Sequence, residues 1–192
     1  MTHRLFIAID PPPSIRSGVR RLQSRLAHLD LPVNWEDTDK LHLTLNFLGR
    51  IPDQNLGPIT TTLTRVAAAM TQFSLEPMFL ETLYQRHDNS IIYIGFAGDI
   101  DLLKKMQKSL SLSLSHLSLP QPRRFLPHLT IGRLKRTDPT LTKRYLDQIR
   151  AQNFRPLPVF TVDKIILYES FLTKAGSHYQ KVREFMLKRA NL

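Results

Sequence analysis

His42-Leu43-Thr44-Leu45 and His128-Leu129-Thr130-Ile131 write the same four-residue pattern twice, 86 positions apart. On a strand, side chains alternate between faces. His42 and Thr44 therefore share one face, and so do His128 and Thr130. Each run would present one imidazole and one hydroxyl from a rigid support. Two such runs facing one another suit acid–base catalysis without a metal. A neutral imidazole accepts a proton while a protonated one donates a proton to the leaving group. Threonine hydroxyls can hydrogen-bond the non-bridging oxygens of a phosphate. The basic residues near the second run, Arg123, Arg124, Arg133, Lys135 and Arg136, can offset its charge. A lone strand histidine is more often structural than catalytic, and the four arginines and lysines other than Arg133 read singly as solvated charges.

Competing chemistries lack their parts. The sequence has no GxxxxGK[ST], HExxH or GxSxG pattern. It has no cysteine, which removes disulfides, thiolate metal ligands and a cysteine nucleophile, and which fits a reducing cytoplasm. No apolar run reaches the roughly 18 residues of a membrane span, and the opening MTHRLFIAIDPPP is too short in apolar residues for a signal peptide. No metal site is expected. His3, His28, His87, His116 and His178 share no context and read as structural or surface residues.

The charge is uneven. The net value is +11. Residues 1–100 hold 9 Lys+Arg against 10 Asp+Glu, and residues 101–192 hold 18 against 6. The second half alone is strongly basic, which favours a polyanionic partner, nucleic acid first.

Periodicity gives the elements that must carry the motifs. A buried strand is expected at 4–9. A helix comes after Pro11–Ser14, with Ile15, Val19, Leu22 and Leu26 inward and Arg16, Arg20, Arg21 and Arg25 outward. A strand at 41–48, stopped by Gly49, places Leu41, Leu43, Leu45 and Phe47 on the core face and His42, Thr44 and Asn46 on the polar face. A helix is expected at 53–70 and strands at 73–83 and 90–97. Residues 101–117 alternate in SLSLSLS, but Leu103, Met106, Leu110 and Leu114 keep helical spacing over a longer stretch, so a helix is expected. A strand at 125–134, a helix at 140–152 and strands at 158–171 and 178–187 complete the chain. By strict alternation Arg133 points away from His128 unless a bulge at Gly132 re-aims it. Each half runs helix, histidine strand, helix, strand pair. The expected fold is α+β: two pseudo-symmetric sheet-and-helix lobes around a central cleft, forming one bilobal domain over 1–192.

The paired motifs, together with RLFIAIDPPPSIR, LHLTLNFLG, PHLTIGR and LYESFLTKAGSHYQKV, resemble the 2H phosphoesterases over nearly the full length. More narrowly they resemble the bacterial and archaeal RNA 2′,3′-cyclic phosphodiesterases, also called 2′,5′-RNA ligases (LigT-like). The resemblance implies hydrolysis of RNA 2′,3′-cyclic phosphate ends to 2′-phosphomonoesters, with no cofactor or metal. It implies that ATP-independent 2′,5′-RNA ligase activity on tRNA fragments is within reach. His42 and His128 take the catalytic positions, with His42 as acid and His128 as base. Thr44, Thr130 and Arg133 take the substrate-binding ones. Alternation puts Phe47, the family's aromatic after the first motif, in the core and not against a base. A cytoplasmic monomer is expected. The alternatives are a phosphodiesterase for another cyclic or 2′,5′-linked nucleotide, and a non-catalytic RNA-binding module.

Overall fold

The two histidine strands meet, and one continuous antiparallel sheet brings them together. The structure, a computed structural model, describes residues 1–115, 125–173 and 176–189. Its strands are β1 (Thr2–Ile9), β2 (Val33–Trp35), β3 (Leu43–Pro52), β4 (Phe73–Leu83), β5 (Ser90–Gly98), β6 (His128–Leu134), β7 (Phe160–Val162), β8 (Lys164–Thr173) and β9 (Gly176–Met186). They lie in the order β7-β4-β5-β6-β3-β1-β8-β9, with β2 beside β6. The helices are α1 (Pro13–Ala27), α2 (Leu56–Ala69), α3 (Ile100–Ser113) and α4 (Pro139–Arg150). The α+β class is as the sequence implies. The two lobes are halves of one sheet.

The halves do not follow the chain. β1 and the motif strand β3 join the late hairpin β8–β9, whereas the motif strand β6 joins the early hairpin β4–β5. The seam between them is a single residue pair, Leu43 opposite Leu129. Both leucines are fully buried, as are Leu5, Ile7, Leu45, Ile92, Ile94 and Ile131 around them.

Helix faces follow the apolar spacing. α1 begins with proline in its first turn and buries Ile15, Val19, Leu22 and Leu26. α2 buries Ile59, Leu63 and Val66. α3 buries Leu103, Met106 and Leu110 and leaves Leu112 in solvent, so the 3.6-residue period prevails over the SLSLSLS alternation. The expected end of that helix at 117, with His116, Arg123 and Arg124, lies outside the described residues. Asp138 caps α4 by accepting from the Thr140 and Leu141 amides.

Two expectations about strands need correction. β3 does not stop at Gly49: that residue takes φ 75°, which glycine adopts without strain, and pairing with β1 continues to Pro52. The long strand expected at 158–171 is two strands, β7 and β8, in opposite halves of the sheet path. Residues 33–35, for which periodicity gives no element, pair with β6 as β2. No helix among the described residues is long and apolar enough to cross a membrane.

Candidate active site

The seam sets the geometry of the motifs. Continuing the Leu43–Leu129 antiparallel register by one residue each way puts His42 opposite Thr130, and Thr44 opposite His128. Leu43 and Leu129 point into the core, so these four side chains occupy the other face. Neighbouring strands bring opposed Cα atoms to about 5 Å, and residues two apart along a strand to about 7 Å. Both histidines and both threonines line one cleft of about 500 Å³.

Each imidazole is fixed in the same way. His42 Nδ1 lies 2.7 Å from the Lys40 carbonyl, and His128 Nδ1 lies 2.8 Å from the Leu126 carbonyl. A carbonyl only accepts, so each Nδ1 carries hydrogen and each Nε2 is left for the cleft. The Lys40 carbonyl is placed by the turn Thr38–Lys40, which Asp37 caps. Arg16 donates to the Thr38 carbonyl, and Arg20 Nη2 donates to Thr38 Oγ1 at 2.7 Å. These two arginines of α1, expected to face solvent, hold the turn that orients His42.

The aromatic surroundings differ in degree. His42 packs against Phe6 and Tyr179, with ring centroids 4.9 and 5.1 Å away. That burial is the main cause that pushes the His42 pKa down, against the opposing pull of the Lys40 carbonyl and of Asp10 and Glu36. His128 has Tyr93 at 5.6 Å. Tyr179 is itself seated by β9, whose Lys181 meets Asp10 at 3.1 Å. Asp10 also accepts from the Tyr168 hydroxyl at 2.6 Å, and burial first, then this carboxylate, pushes the phenol pKa up.

Beyond the threonines, both strands break alternation at the same place. In β3 the pairing with β1 skips Leu45: Ala8 lies opposite Thr44, and Ile7 opposite Asn46. In β6 the pairing with β5 skips Ile131: Tyr93 lies opposite Thr130, and Ile92 opposite Gly132. Each bulge falls one residue after the motif threonine and shifts the facing of the residues beyond it. The expected faces of Phe47 and Asn46 are thereby overturned. Phe47 is 64% exposed and lines the cleft instead of the core, while Asn46 is buried and its amide donates to Ser111 of α3 at 2.7 Å. Arg133 lines the cleft with His128 and Thr130, re-aimed by a bulge one residue earlier than Gly132. Phe47 and Arg133 thus hold equivalent places, each five residues after its histidine.

The second bulge is clamped from behind. The Ile131 carbonyl accepts from the Glu36 amide at 3.0 Å and from Gln23 Nε2 at 2.9 Å. The same Gln23 amide group donates to the Glu36 carbonyl at 2.7 Å. A side chain at 132 would meet the Trp35 ring at 2.8 Å, so glycine lets β2 lie flat on the bulge. Glu36, at the end of β2, accepts from Arg133 Nε at 3.1 Å across the cleft wall. Glu36, Phe6 and Tyr179 are site residues that sequence reasoning missed. Glu36 follows a three-residue strand that has no period to read, and Phe6 reads only as core.

No group of three or more potential metal ligands occurs among the described residues. The cleft can hold a compact anion between two Nε2 atoms, two hydroxyls and a guanidinium, with an aromatic ring at its mouth.

A family model described as the 2′-5′ RNA ligase superfamily matches residues 11–170. The RNA 2′,3′-cyclic phosphodiesterase of Thermotoga maritima is 28% identical over 94% of this chain and 94% of its own. That of Methanocaldococcus jannaschii is 28% identical over 95% and 99%. In fold the chain is similar to E. coli LigT solved with 3′-AMP, with TM-score 0.78 and 21% identity over 97% of this chain and 99% of that one.

Proposed function

The chain belongs to the 2′-5′ RNA ligase superfamily, and from that premise we propose that it hydrolyses RNA 2′,3′-cyclic phosphate ends to 2′-phosphomonoesters by two-histidine acid–base catalysis. The carrying observation is the pair of imidazoles, each pinned at Nδ1 by a carbonyl two residues earlier, that line one cleft. The curated relatives bear the name of this activity.

In the reaction, His128 Nε2 takes a proton from water as its oxygen attacks phosphorus. The P–O3′ bond breaks, and His42 gives its proton to O3′. The products are a 2′-phosphomonoester and a free 3′-hydroxyl. Thr44 and Thr130 donate to the non-bridging oxygens, and Arg133 offsets their charge. Phe47 offers a base or ribose an apolar surface at the mouth. Both protons move between side chains and substrate, so the step calls on no metal. If the 5′-hydroxyl of another RNA replaces the water, the same exchange forms a 2′,5′ linkage and keeps the phosphodiester bond energy, so joining tRNA fragments needs no ATP. The site draws on both halves of the sheet, which supports a single catalytic unit over 1–192. A cytoplasmic location fits the absence of cysteine, and a monomer belongs to the same reading.

The test is turnover of an RNA ending in a 2′,3′-cyclic phosphate, with excess chelator. The wild type should produce 2′-phosphate ends at an undiminished rate. His42→Ala and His128→Ala should each lose about 10²–10⁴-fold with unchanged circular dichroism. Loss of wild-type activity to chelator, restored by a divalent ion, overturns the metal-free route. Full activity in both variants moves the site elsewhere.

A further inference from the structure

Glu36 is the part of the cleft that the acid–base scheme leaves unused. A phosphate site calls for positive charge, yet a carboxylate lines it. The other charged or titratable groups on the lining are Arg4, Lys40, Arg133, the two histidines and Tyr179. Glu36 is the one carboxylate on it among the described residues.

It is also held in place. Its amide donates to Ile131, its carbonyl accepts from the buried Gln23 and its side chain accepts from Arg133 Nε. The backbone bonds fix where the side chain starts, and the Arg133 bond holds where its carboxylate ends. Arg133 keeps both terminal nitrogens without a partner among the described residues. A phosphate that those nitrogens bind must sit beside the Glu36 carboxylate.

We propose that Glu36 is a specificity residue that fits the cleft to a singly charged phosphodiester and drives out the doubly charged phosphomonoester made from it. The inference rests on the proposed hydrolysis. A cyclic diester has one acidic oxygen and carries one negative charge at any pH near neutrality. Opening it exposes a second acidic oxygen, with a pKa of about 6. Above that pH the product carries two charges. Each ligand charge feels every group on the lining, so opening the ring doubles the repulsion from the Glu36 carboxylate. At a separation of about 6 Å and an effective dielectric of about 20, the added repulsion corresponds to one to two orders of magnitude in affinity. The substrate, with one charge, meets half of the repulsion that the product meets, so Glu36 penalises the product more than the substrate.

The experiment compares wild type with Glu36→Gln, which keeps the size and an oxygen acceptor for Arg133 but removes the charge. Binding of a nucleoside 2′-monophosphate and of a non-hydrolysable singly charged phosphodiester analogue is measured by calorimetry from pH 5.5 to 8. At pH 8, Glu36→Gln should tighten the monoester at least tenfold more than the diester. At pH 5.5, where both ligands carry mainly one charge, the variant should change both nearly alike. Equal tightening at both pH values, or no change in the monoester-to-diester ratio at pH 8, overturns the proposal. Because the readout is binding, it stands apart from turnover. A wild type that opens no cyclic phosphate defeats the proposed reaction, whereas an active enzyme with an unchanged ratio defeats only the role of Glu36.

Discussion

At the residue scale the chemistry rests on how each group is held. Gln23 illustrates this: one buried side-chain amide secures both the bulge that aims Arg133 and the backbone of Glu36. Gln23→Leu fits the space and removes both donors. It should raise the KM for a 2′,3′-cyclic nucleotide about tenfold, in line with losing one charge-assisted contact, while kcat changes little. In an Arg133→Ala background the same substitution should leave KM where it is. An additive effect there would mean that Gln23 acts on stability alone. His42 makes a second case. Burial against Phe6 and Tyr179 pushes its pKa down from the ordinary histidine value, so the proton it gives to O3′ must be held on Nε2 by the negative charge of the bound phosphate. An NMR titration should find its midpoint below that of a free imidazole and find it raised in Tyr179→Ala, where water reaches the ring. Unchanged midpoints would remove burial as the cause. His42, His128 and their threonines were legible because a repeated motif needs no structure to be seen. Glu36 and Gln23 were not, because their roles arise from hydrogen bonds to backbone far away in the sequence.

At the scale of elements, period reading succeeded wherever an element buries one face along its whole length. α1, α2 and α3 show it, and so does β3 as far as Thr44. It failed for Asn46 and Phe47 because a bulge is a mismatch between two strands. Leu45 has no partner on β1, and nothing in LTLNFL alone betrays that. The Arg133 bulge was partly legible, because Gly132 marked a place where backbone approaches closely. The seam between the halves carries its own prediction. Leu129→Ala removes a fully buried side chain from the one pair that joins β3 to β6. It should cost about 2–5 kcal/mol of unfolding free energy, and turnover should fall further than in an equally destabilising change away from the seam, such as Leu63→Ala on α2. Equal residual activity in the two variants would show that the histidines keep their spacing without the seam.

On the scale of the whole molecule, charge and topology were read with different success. The excess of Lys+Arg after residue 100 was plain in the sequence. If it tracks an RNA backbone, long RNA should bind more tightly than a cyclic mononucleotide and lose affinity faster as salt rises, because each neutralised phosphate releases counterions. Identical salt slopes for the two ligands would mark the charge as general surface. The helix-strand grammar of the two halves was legible as well, but the exchange of their hairpins was not. The order of elements along a chain does not say which sheet edge a later hairpin will choose. The consequence of that exchange concerns synthesis. Leu5 lies opposite Glu169, and β8 in turn carries β9 with Tyr179. The part of the wall behind His42 that Tyr179 supplies therefore stays missing until the ribosome has released the chain through β9. A nascent polypeptide could display both histidines for seconds at ordinary elongation rates and still lack the buried setting that tunes one of them. On the proposed function, the protein would thus be born beside the translation machinery in a form that leaves its RNA substrate alone.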